Sequence, residues 1–517
     1  MKTVLTLRMS IFVTFVMGLL SANASLGQPS TLEIAAAVNE YRSERETEII
    51  RDFIELLSLP NDSANLENLD ANVALITEML ESRGITTQVL RAGRAPYIYG
   101  EINTPGATET LLLYAHFDGQ PVQAENWTFP PFMPTLVDAA LPEGAPVDWS
   151  SLDGSFDPEW RIYARSAGDD KMPVIAIIHT LDALREKGIE LSVNLKLLFD
   201  GEEERGSPTL GQVIDANPGL FDADLLLFCD GPMHQSRRAQ LVFGVRGSGT
   251  VDITTYGATR PLHSGHYGNW APNPIMQLSY LLTSMRDEAG RIMVDGYYDN
   301  VATLSESERA AINAMPDTSL GLQDELSINT PEGAGMRLEE LVTLPAINAR
   351  GIVAGGVGLQ GRNIILPAAT VSLNLRMVPN QNPLRLQELI EAHVEREGFF
   401  IVHEDPTEDQ LRNNSKVAKL DWRGTGNAGL RTPMDGAIAQ KLIGIMQELT
   451  PDLILTPSMG GTLPLNAFDE RTDTPIFVLP LANHDNNQHG RDENIRIQNI
   501  WDAMSVYAVV LAQFGNR

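Results

Sequence analysis

The stretch Leu195-Lys-Leu-Leu-Phe-Asp200-Gly-Glu202-Glu203-Glu204-Arg-Gly-Ser207 joins a largely apolar run to three consecutive acids. A short apolar run bounded by turn residues is typical of a strand buried on both faces of a parallel sheet. Three adjacent carboxylates would repel one another strongly unless cations lie beside them. Open α/β sheets bind ligands at the carboxyl ends of their strands, so these acids indicate a metal site more than a solvated turn.

Four further segments repeat this arrangement, in which acids or histidines follow a run that resembles a strand. Each segment alone is a weak signal, and the prediction depends on their concurrence. Oxygen and imidazole ligands suit Zn²⁺ or a similar divalent ion, and a carboxylate shared by two ions makes a hydrolytic centre. We therefore predict a metal-dependent hydrolase with the further site segments Tyr-Ala-His116-Phe-Asp118-Gly, Gly168-Asp169-Asp170-Lys171, Phe-Cys-Asp230-Gly and Gln-His489-Gly-Arg-Asp-Glu493.

Some residues in or near these segments have a second interpretation. Asp170 directly precedes a helical pattern, and we expect its side chain to cap that helix. His484 lies close to His489 in sequence and is the main alternative to it as a ligand. Cys229 is the single cysteine and falls inside an apolar run, so we expect a buried small hydrophobe there.

The order of the apolar patterns predicts two domains, one inserted into the other. The runs Leu111–Ala115, Val193–Phe199 and Leu225–Cys229 alternate with helical patterns such as Pro173–Leu184, which favours an α/β layer with a mainly parallel sheet. Beyond residue 245, a strand–helix–strand–strand–helix–strand order closed by Phe399–Val402 indicates a ferredoxin-like α+β domain. We predict a catalytic domain at 25–245 and 431–517 and an inserted lid or dimerisation domain at 246–430.

The first 24 residues have the pattern of an export signal. Lys2 and Arg8 precede an apolar core, Met9 to Leu20, and Ala22-Asn23-Ala24 matches a small-residue cleavage site. The core is shorter than the roughly 20 residues that span a bilayer. We therefore expect an exported mature protein, periplasmic or secreted, with no membrane span.

Length and charge limit the class of protein and its partners. The chain has 517 residues, 43% of them hydrophobic, which is enough for two or more domains. Its formal net charge is −29, from 67 acidic and 38 basic residues. A surface this acidic repels nucleic acid and anionic membranes, so we expect neither as a partner.

Taken in order, the site segments resemble the dinuclear zinc peptidase and deacylase family. That family includes carnosinase-like dipeptidases, glutamate carboxypeptidase and succinyl-diaminopimelate desuccinylase. The likeness covers nearly all of the mature chain, and the run from His116 through Gln120-Pro-Val is most similar to the carnosinase-like branch. The resemblance implies two bound ions, Zn²⁺ or alternatively Mn²⁺ or Co²⁺, held by His116 with Asp230, by the bridging Asp169, and by Glu204 with His489.

The resemblance also implies roles in catalysis and substrate binding. Glu203 through Ser207 matches the family pattern Glu-Glu-x-Gly-Ser, which makes Glu203 the general base, and Asp118 would orient His116. His263, in Leu-His-Ser-Gly, matches a residue that stabilises the oxyanion, often across a dimer interface. The residues that would bind substrate are Arg376, Asn363, Gly461 and Thr462.

These implications favour hydrolysis of an amide bond in dipeptides or short peptides that carry a free carboxylate. An N-acyl-amino-acid deacylase is the alternative enzyme, and a non-catalytic binding protein on the same scaffold is a third, less favoured interpretation. The sequence leaves open the side chains accepted, the ion used, and whether the protein is a monomer or a homodimer through its lid domain.

Overall fold

The computed structural model describes residues 29–62, 64–148 and 154–516. The predicted export signal, residues 1–24, lies outside them. None of the helices in these three ranges is both long enough and apolar enough to cross a bilayer. The described residues form an eight-stranded sheet, a five-stranded sheet and three small sheets.

The eight-stranded sheet is the mainly parallel layer that the sequence predicts. Its four central strands run parallel, and the next strand on each side is antiparallel to its inner neighbour. Leu111 and Leu113 point into one core while Leu112 and Tyr114 point into the other, so both faces are covered. In spatial order the strands are β1 (Thr86–Leu90), β2 (Tyr97–Ile102), β6 (Asn194–Asp200), β3 (Thr110–His116), β7 (Leu225–Phe228), β19 (Ile476–Val478), β8 (Gln240–Val242) and β18 (Ile454–Thr456).

Helices pack on both faces of this sheet. The long helices at the two ends of the chain and the helix after Asp170 pack against one another in one core. A small antiparallel sheet joins β4 (Thr135–Val137) and β5 (Arg161–Tyr163), which precede that helix in the chain, to β20 (Asn494–Arg496), which precedes the last helix. The helices of this domain are α1 (Thr31–Leu57), α2 (Leu66–Glu81), α3 (Lys171–Glu186), α4 (Leu210–Ala216), α12 (Ala437–Leu449), α13 (Asn466–Asp469) and α14 (Ile497–Gln513).

The inserted segment forms a second layer around its own hydrophobic core. Along the strand Ala368–Met377 buried and half-exposed residues alternate, as expected for a sheet with one solvated face. In spatial order the strands are β12 (Ala346–Val353), β14 (Ala368–Met377), β10 (Gly247–Tyr256), β16 (Val417–Trp422) and β15 (Phe400–Val402).

The last strand of the predicted ferredoxin-like pattern is present at Phe400–Val402, but its predicted place in the sheet was wrong. Val417–Trp422, not Phe399–Val402, pairs with the central strand β10, and β15 adds as a parallel edge strand beside it. Val417–Trp422 pairs with β10 over six residues, whereas β15 is only three residues long. The local apolar pattern did not reveal this difference.

The two layers meet where the chain enters and leaves the insertion. The short strands β9 (Gly244–Val245) and β17 (Leu430–Arg431) pair there, and a buried ion pair of 2.7 Å joins Arg431 to Glu308. A second ribbon, β11 (Leu262–His263) with β13 (Ile364–Ile365), belongs to the insertion. The helices of the inserted segment are α5 (Ser264–Tyr267), α6 (Pro274–Met285), α7 (Glu306–Ala314), α8 (Ser319–Leu326), α9 (Leu338–Leu341), α10 (Pro383–Arg396) and α11 (Glu408–Asn413).

Candidate metal centre

Four of the five predicted ligands lie at the carboxyl ends of strands of the large sheet or in the loops beyond them, and Asp169 lies between the antiparallel strand β5 and α3. His116 is the last residue of β3, and Asp230 closely follows β7. Glu204 lies in the turn after β6, Asp169 in the turn before α3, and His489 between β19 and β20. Parallel strands end at one edge of the sheet, and this brings residues far apart in sequence together.

His116, Asp169 and Asp230 form the first group of candidate ligands, with ligand atoms within 4.8 Å of one another. His116 Nε2 lies 3.0 Å from Asp169 Oδ1 and 3.8 Å from Asp230 Oδ2. All three side chains are buried. One imidazole and two carboxylates are a donor set that would hold Zn²⁺ or a similar divalent ion.

Asp169, Glu204 and His489 form the second group, within the same distance limit. His489 Nε2 lies 3.2 Å from Asp169 Oδ2 and 3.2 Å from Glu204 Oε2. Asp169 therefore directs one oxygen to each group, which is the geometry of a bridging carboxylate. His484, the alternative to His489, belongs to neither group.

The charges around these groups fit two divalent cations. Burial and the negative charge of Asp169 raise the pKa of Asp230 to about 7, and burial raises the pKa of Glu203 well above its ordinary value. Contacts with Asp169 and Glu204 raise the pKa of His489 to about 10. Carboxylates this crowded and buried cannot all ionise without cations, and their donor set is one that Zn²⁺, Mn²⁺ and Co²⁺ accept.

Glu203 lies beside the first group without belonging to it. Its Oε2 is 3.8 Å from His116 Nε2. Asp118 Oδ1 is 3.3 Å from His116 Nδ1, and the same oxygen accepts a hydrogen bond from the Glu203 N–H. One buried carboxylate thus orients the imidazole and holds the turn that carries Glu203.

Glu202, the first of the three consecutive acids, faces away from the centre. Its Oε1 accepts hydrogen bonds from the Tyr97 hydroxyl at 2.6 Å and from the Thr209 backbone and hydroxyl. The three acids therefore divide between the centre and the support of the turn.

Glu493 supports the loop of the bridging aspartate and belongs to neither ligand group. The sequence pattern placed it among the metal-site segments, and the structure corrects this. Its Oε1 accepts from the N–H groups of Gly168 and Asp169, both at 3.0 Å. Its Oε2 accepts from the Ser166 N–H and from Arg165 Nη1 at 2.6 Å. The physical reason is burial between neutral and cationic donors, which satisfies the carboxylate without an ion.

Asp170 does not cap α3 with its side chain, so that expectation was wrong. It occupies the position before the helix, but no side-chain capping hydrogen bond forms. Its Oδ2 instead accepts from the His116 N–H at 3.1 Å, across the loop from β3. Two more polar side chains missed by sequence reasoning hold ligands: Gln120 donates to Glu204 and Gln488 to Asp169.

Residues 112–513 match the Peptidase family M20/M25/M40. The chain belongs to this family. Membership confirms the resemblance drawn from the site segments, and it makes the protein a metal-dependent hydrolase.

Relatives and solved structures support the same family and fold. The chain is 24% identical over 430 residues to a Cys-Gly metallodipeptidase of Schizosaccharomyces pombe, covering 81% of this chain and 83% of the relative. It is 26% identical over 498 residues to a cysteinylglycine-S-conjugate dipeptidase of Corynebacterium striatum, covering 93% and 98%. An M20 family metallo-carboxypeptidase from Sulfolobus solfataricus superposes with a TM-score of 0.73 at 26% identity, over 91% of this chain and all of that one.

A cleft of about 830 Å³ extends from the centre of this M20 fold to the inserted domain. Three of the four predicted substrate-binding residues, Arg376, Gly461 and Thr462, line it. Arg376 lies on β14, and its Nη1 donates to Thr462 Oγ1 at 2.7 Å. The cationic side chain of Arg376 and residues of both candidate ligand groups therefore line the same cleft.

His263 and Asn363 do not line this cleft in the single chain. The role of His263 was predicted as one often made across a dimer interface, and the roles of both residues stay predictions. His263 is exposed, lies beside His266 with ring centroids 4.7 Å apart and ring planes tilted by 40°, and accepts a hydrogen bond from the Gly265 N–H. Asn363 lies beside it, since its carbonyl accepts from the Ser264 N–H. Both lie at the ribbon of β11 and β13, which is separate from the strand ends that carry the ligands.

Proposed function

We propose that this chain is a dipeptidase that hydrolyses the amide bond of dipeptides or short peptides carrying a free carboxylate. The observation that carries this proposal is one cleft shared by the Asp169-centred ligand groups, Glu203 and Arg376. The relatives in yeast and Corynebacterium are themselves named as dipeptidases, which supports the same substrate class.

When bound, two divalent ions supply Lewis-acid polarisation of a carbonyl and a lower pKa for water. His116, Asp169, Asp230, Glu204 and His489 would hold those ions. Glu203 accepts the proton of the attacking water and later gives it to the leaving amine, because its carboxylate stands beside the first ligand group. Arg376 binds the substrate carboxylate at the other end of the cleft.

We further propose that two copies associate through the inserted domain and that His263 acts in the partner's cleft. Large apolar side chains are exposed on the inserted domain: Trp270 before α6, Tyr280 on α6 and Val353 on the edge strand β12 are 79%, 67% and 77% exposed. Exposed apolar side chains are common at association surfaces, and among the described residues β12 pairs with a strand on one side only. His263 is close in sequence to Trp270, so burial of this face would bring it towards a second copy.

Export is also a proposal, supported by the pattern of residues 1–24. We expect the mature protein in the periplasmic or culture-medium fraction to begin at Ser25, as read by mass spectrometry. A cytoplasmic protein that still begins at Met1 would contradict export without affecting the enzyme proposal.

A substrate panel and one variant test the enzymatic proposal. We expect the metal-loaded protein to cleave unmodified dipeptides faster than acetyl- and succinyl-amino acids. Glu203→Gln should lose at least about a thousandfold in kcat while metal content stays near that of the wild type, because the base acts on protons and not as a ligand.

Glu202→Gln is the matched control, since Glu202 is the adjacent acid and faces Tyr97 and Thr209. It should retain turnover within a few-fold. Faster cleavage of acyl-amino acids would assign the enzyme to the deacylases, and turnover retained in Glu203→Gln would overturn the role of Glu203.

A further inference from the structure

One wall of the metal cleft is built by a loop of the catalytic domain and a short helix of the inserted domain. The loop follows the candidate ligand Asp230 and contributes His234. The helix is α9, which contributes Leu338, Glu339 and Val342. His234 Nε2 lies 3.8 Å from Glu339 Oε1, so the two side chains face each other at a distance too long for a hydrogen bond.

A backbone contact determines which nitrogen of His234 carries the proton. The Ser236 N–H donates to His234 Nδ1 at 3.1 Å, so the neutral ring carries its proton on Nε2. His234 is 6% exposed, and among the described residues its buried Nε2 has no hydrogen-bond partner. A buried donor without an acceptor is unfavourable until a ligand supplies one.

Glu339 supplies the complementary group on the other side of the gap. The His234 imidazole, a backbone N–H and the Arg337 guanidinium lower the pKa of Glu339, although burial opposes them. Its carboxylate is therefore ionised at neutral pH and can only accept hydrogen bonds. Arg337 Nε lies 3.2 Å from Glu339 Oε2, which leaves Oε1 on the side of His234.

The helix that carries Glu339 is held from behind. Arg337, directly before α9, donates to three carbonyls at and beyond the end of α7. Helix α7 packs on β18, the edge strand of the large sheet, where Ile312 contacts Ile454. The gap in the wall is thus preorganised, which lowers the entropic cost of filling it.

We propose that His234 and Glu339 bind the carboxamide side chain of an asparagine or glutamine residue in the substrate. This inference rests on the proposed function and narrows its substrate class. The carboxamide oxygen accepts from His234 Nε2, and the NH₂ group donates to Glu339 Oε1. The oxygen and nitrogen of a carboxamide are about 2.3 Å apart on one edge, so bonds of about 2.9 Å reach groups 3.8 Å apart with little splay.

Other side chains fit this pair of groups less well. A carboxylate is repelled by Glu339, and an ammonium group has no acceptor for His234. A hydroxyl would have to bond both groups from one atom at an acute angle, and the two nitrogens of an imidazole point in divergent directions. Leu338 and Val342 provide apolar surface in the same wall for the methylene stem of the bound side chain.

Matched dipeptides test the subsite in the metal-loaded wild type. Glutamine and methionine have side chains of similar length, as do asparagine and leucine, so each pair differs mainly in polarity. With each residue placed first and then second, we expect one position at which kcat/KM is at least about tenfold higher for the carboxamide. Equal values for both pairs at both positions would overturn the proposal.

Two variants change the groups of the subsite one at a time. His234→Asn removes Nε2 but keeps an oxygen that can accept from the Ser236 N–H. Its ratio of glutamine to methionine peptide should fall to within about threefold of unity, while kcat/KM for the methionine peptide changes little. Glu339→Gln removes the repulsion and offers a donor, so its ratio of glutamate to glutamine peptide should rise at least about tenfold.

Glu340→Gln is the matched control, since Glu340 is the next acid of α9, accepts from the Arg337 N–H and does not line the cleft. Its ratios should equal those of the wild type, and a change like that of Glu339→Gln would indicate a general charge effect and overturn the proposal. Loss of activity toward all peptides alike in the His234 and Glu339 variants would show a structural role and also overturn it. If His234→Asn does not fold, the Glu339→Gln ratio decides.

Binding separates failure of this inference from failure of the dipeptidase proposal. Calorimetry with the same dipeptides in metal-loaded Glu203→Gln requires no turnover, and N-acetylglutamine and N-acetylmethionine give the same comparison if the wild type cleaves no dipeptide. Tighter binding of the carboxamide ligand that disappears when His234→Asn is added supports the subsite alone. Equal affinities for the two ligands contradict it.

Discussion

Glu493 is a buried side chain that is not a candidate metal ligand but holds the backbone of one, Asp169, in position. It collects four donors, from the backbone of Ser166, Gly168 and Asp169 and from the guanidinium of Arg165. Ser166 has a φ of 62°, in the left-handed region, so the chain turns sharply just before Asp169. The Glu493 carboxylate stabilises this turn by accepting hydrogen bonds from three of its backbone N–H groups.

Glu493→Gln should therefore weaken metal binding although no ligand changes. The glutamine side chain lacks the negative charge that faces Arg165, and its NH₂ group would face backbone N–H donors. We therefore expect the affinity of the protein for its metal ions to fall about 10- to 100-fold. A chelator competition with metal analysis measures this. The exposed Glu470→Gln is the control, and an unchanged affinity in Glu493→Gln would show that the loop keeps its geometry unaided.

At the scale of elements, an ion pair joins the small sheet to the loop that carries His489. Arg161 on β5 donates to Asp485 Oδ2 at 2.7 Å and to Asn494 on β20. Burial alone would raise the pKa of Asp485, but hydrogen bonds from Arg161 and Asn483 and the charge of Arg161 lower it below its ordinary value. The folded state therefore favours the ionised carboxylate.

Asp485→Asn should lower the free energy of unfolding by about 1–2 kcal/mol at pH 7. A carboxylate with a lowered folded pKa contributes its stability above the unfolded pKa of about 4 and loses it as pH falls through the folded value. The difference from wild type should thus be complete above about pH 5 and shrink below pH 4. Thermal unfolding at both pH values measures it, with the exposed Asp405→Asn as a control that shows no comparable loss.

At the scale of the whole molecule, His263 lies on the inserted domain, away from the cleft of its own chain in which it is predicted to stabilise the oxyanion. Tyr280→Glu should disrupt the proposed dimer, because it places a charge on the exposed apolar face of α6. We expect a monomer by light scattering, with normal metal content and at least about tenfold lower kcat.

Leu320→Glu is the matched control, since Leu320 is 78% exposed but belongs to α8. It should keep the dimer and the activity. Monomeric wild-type protein with full activity would exclude a role for His263 across an interface.

Local sequence was sufficient for the elements that carry the site. Apolar runs such as Leu111–Ala115 and Leu225–Cys229 predicted buried strands because both faces of a parallel sheet require apolar side chains. The positions of His116, Glu204 and Asp230 followed from their place after those runs. The helix predicted at Pro173–Leu184 was visible for the same reason of periodicity and is present as α3, whereas the strand Val417–Trp422 of the inserted domain was not predicted.

Only the tertiary structure decided the relations that depend on distant partners. The pairing of Val417–Trp422 with β10, the position of Glu493 behind the Asp169 loop and the approach of His234 to Glu339 each join residues far apart in the chain. Periodicity reports which face of an element is apolar, but it carries no information on which buried group lies against it. By itself the sequence determined the layers and the chemistry at the strand ends, and long-range packing determined which of those groups meet.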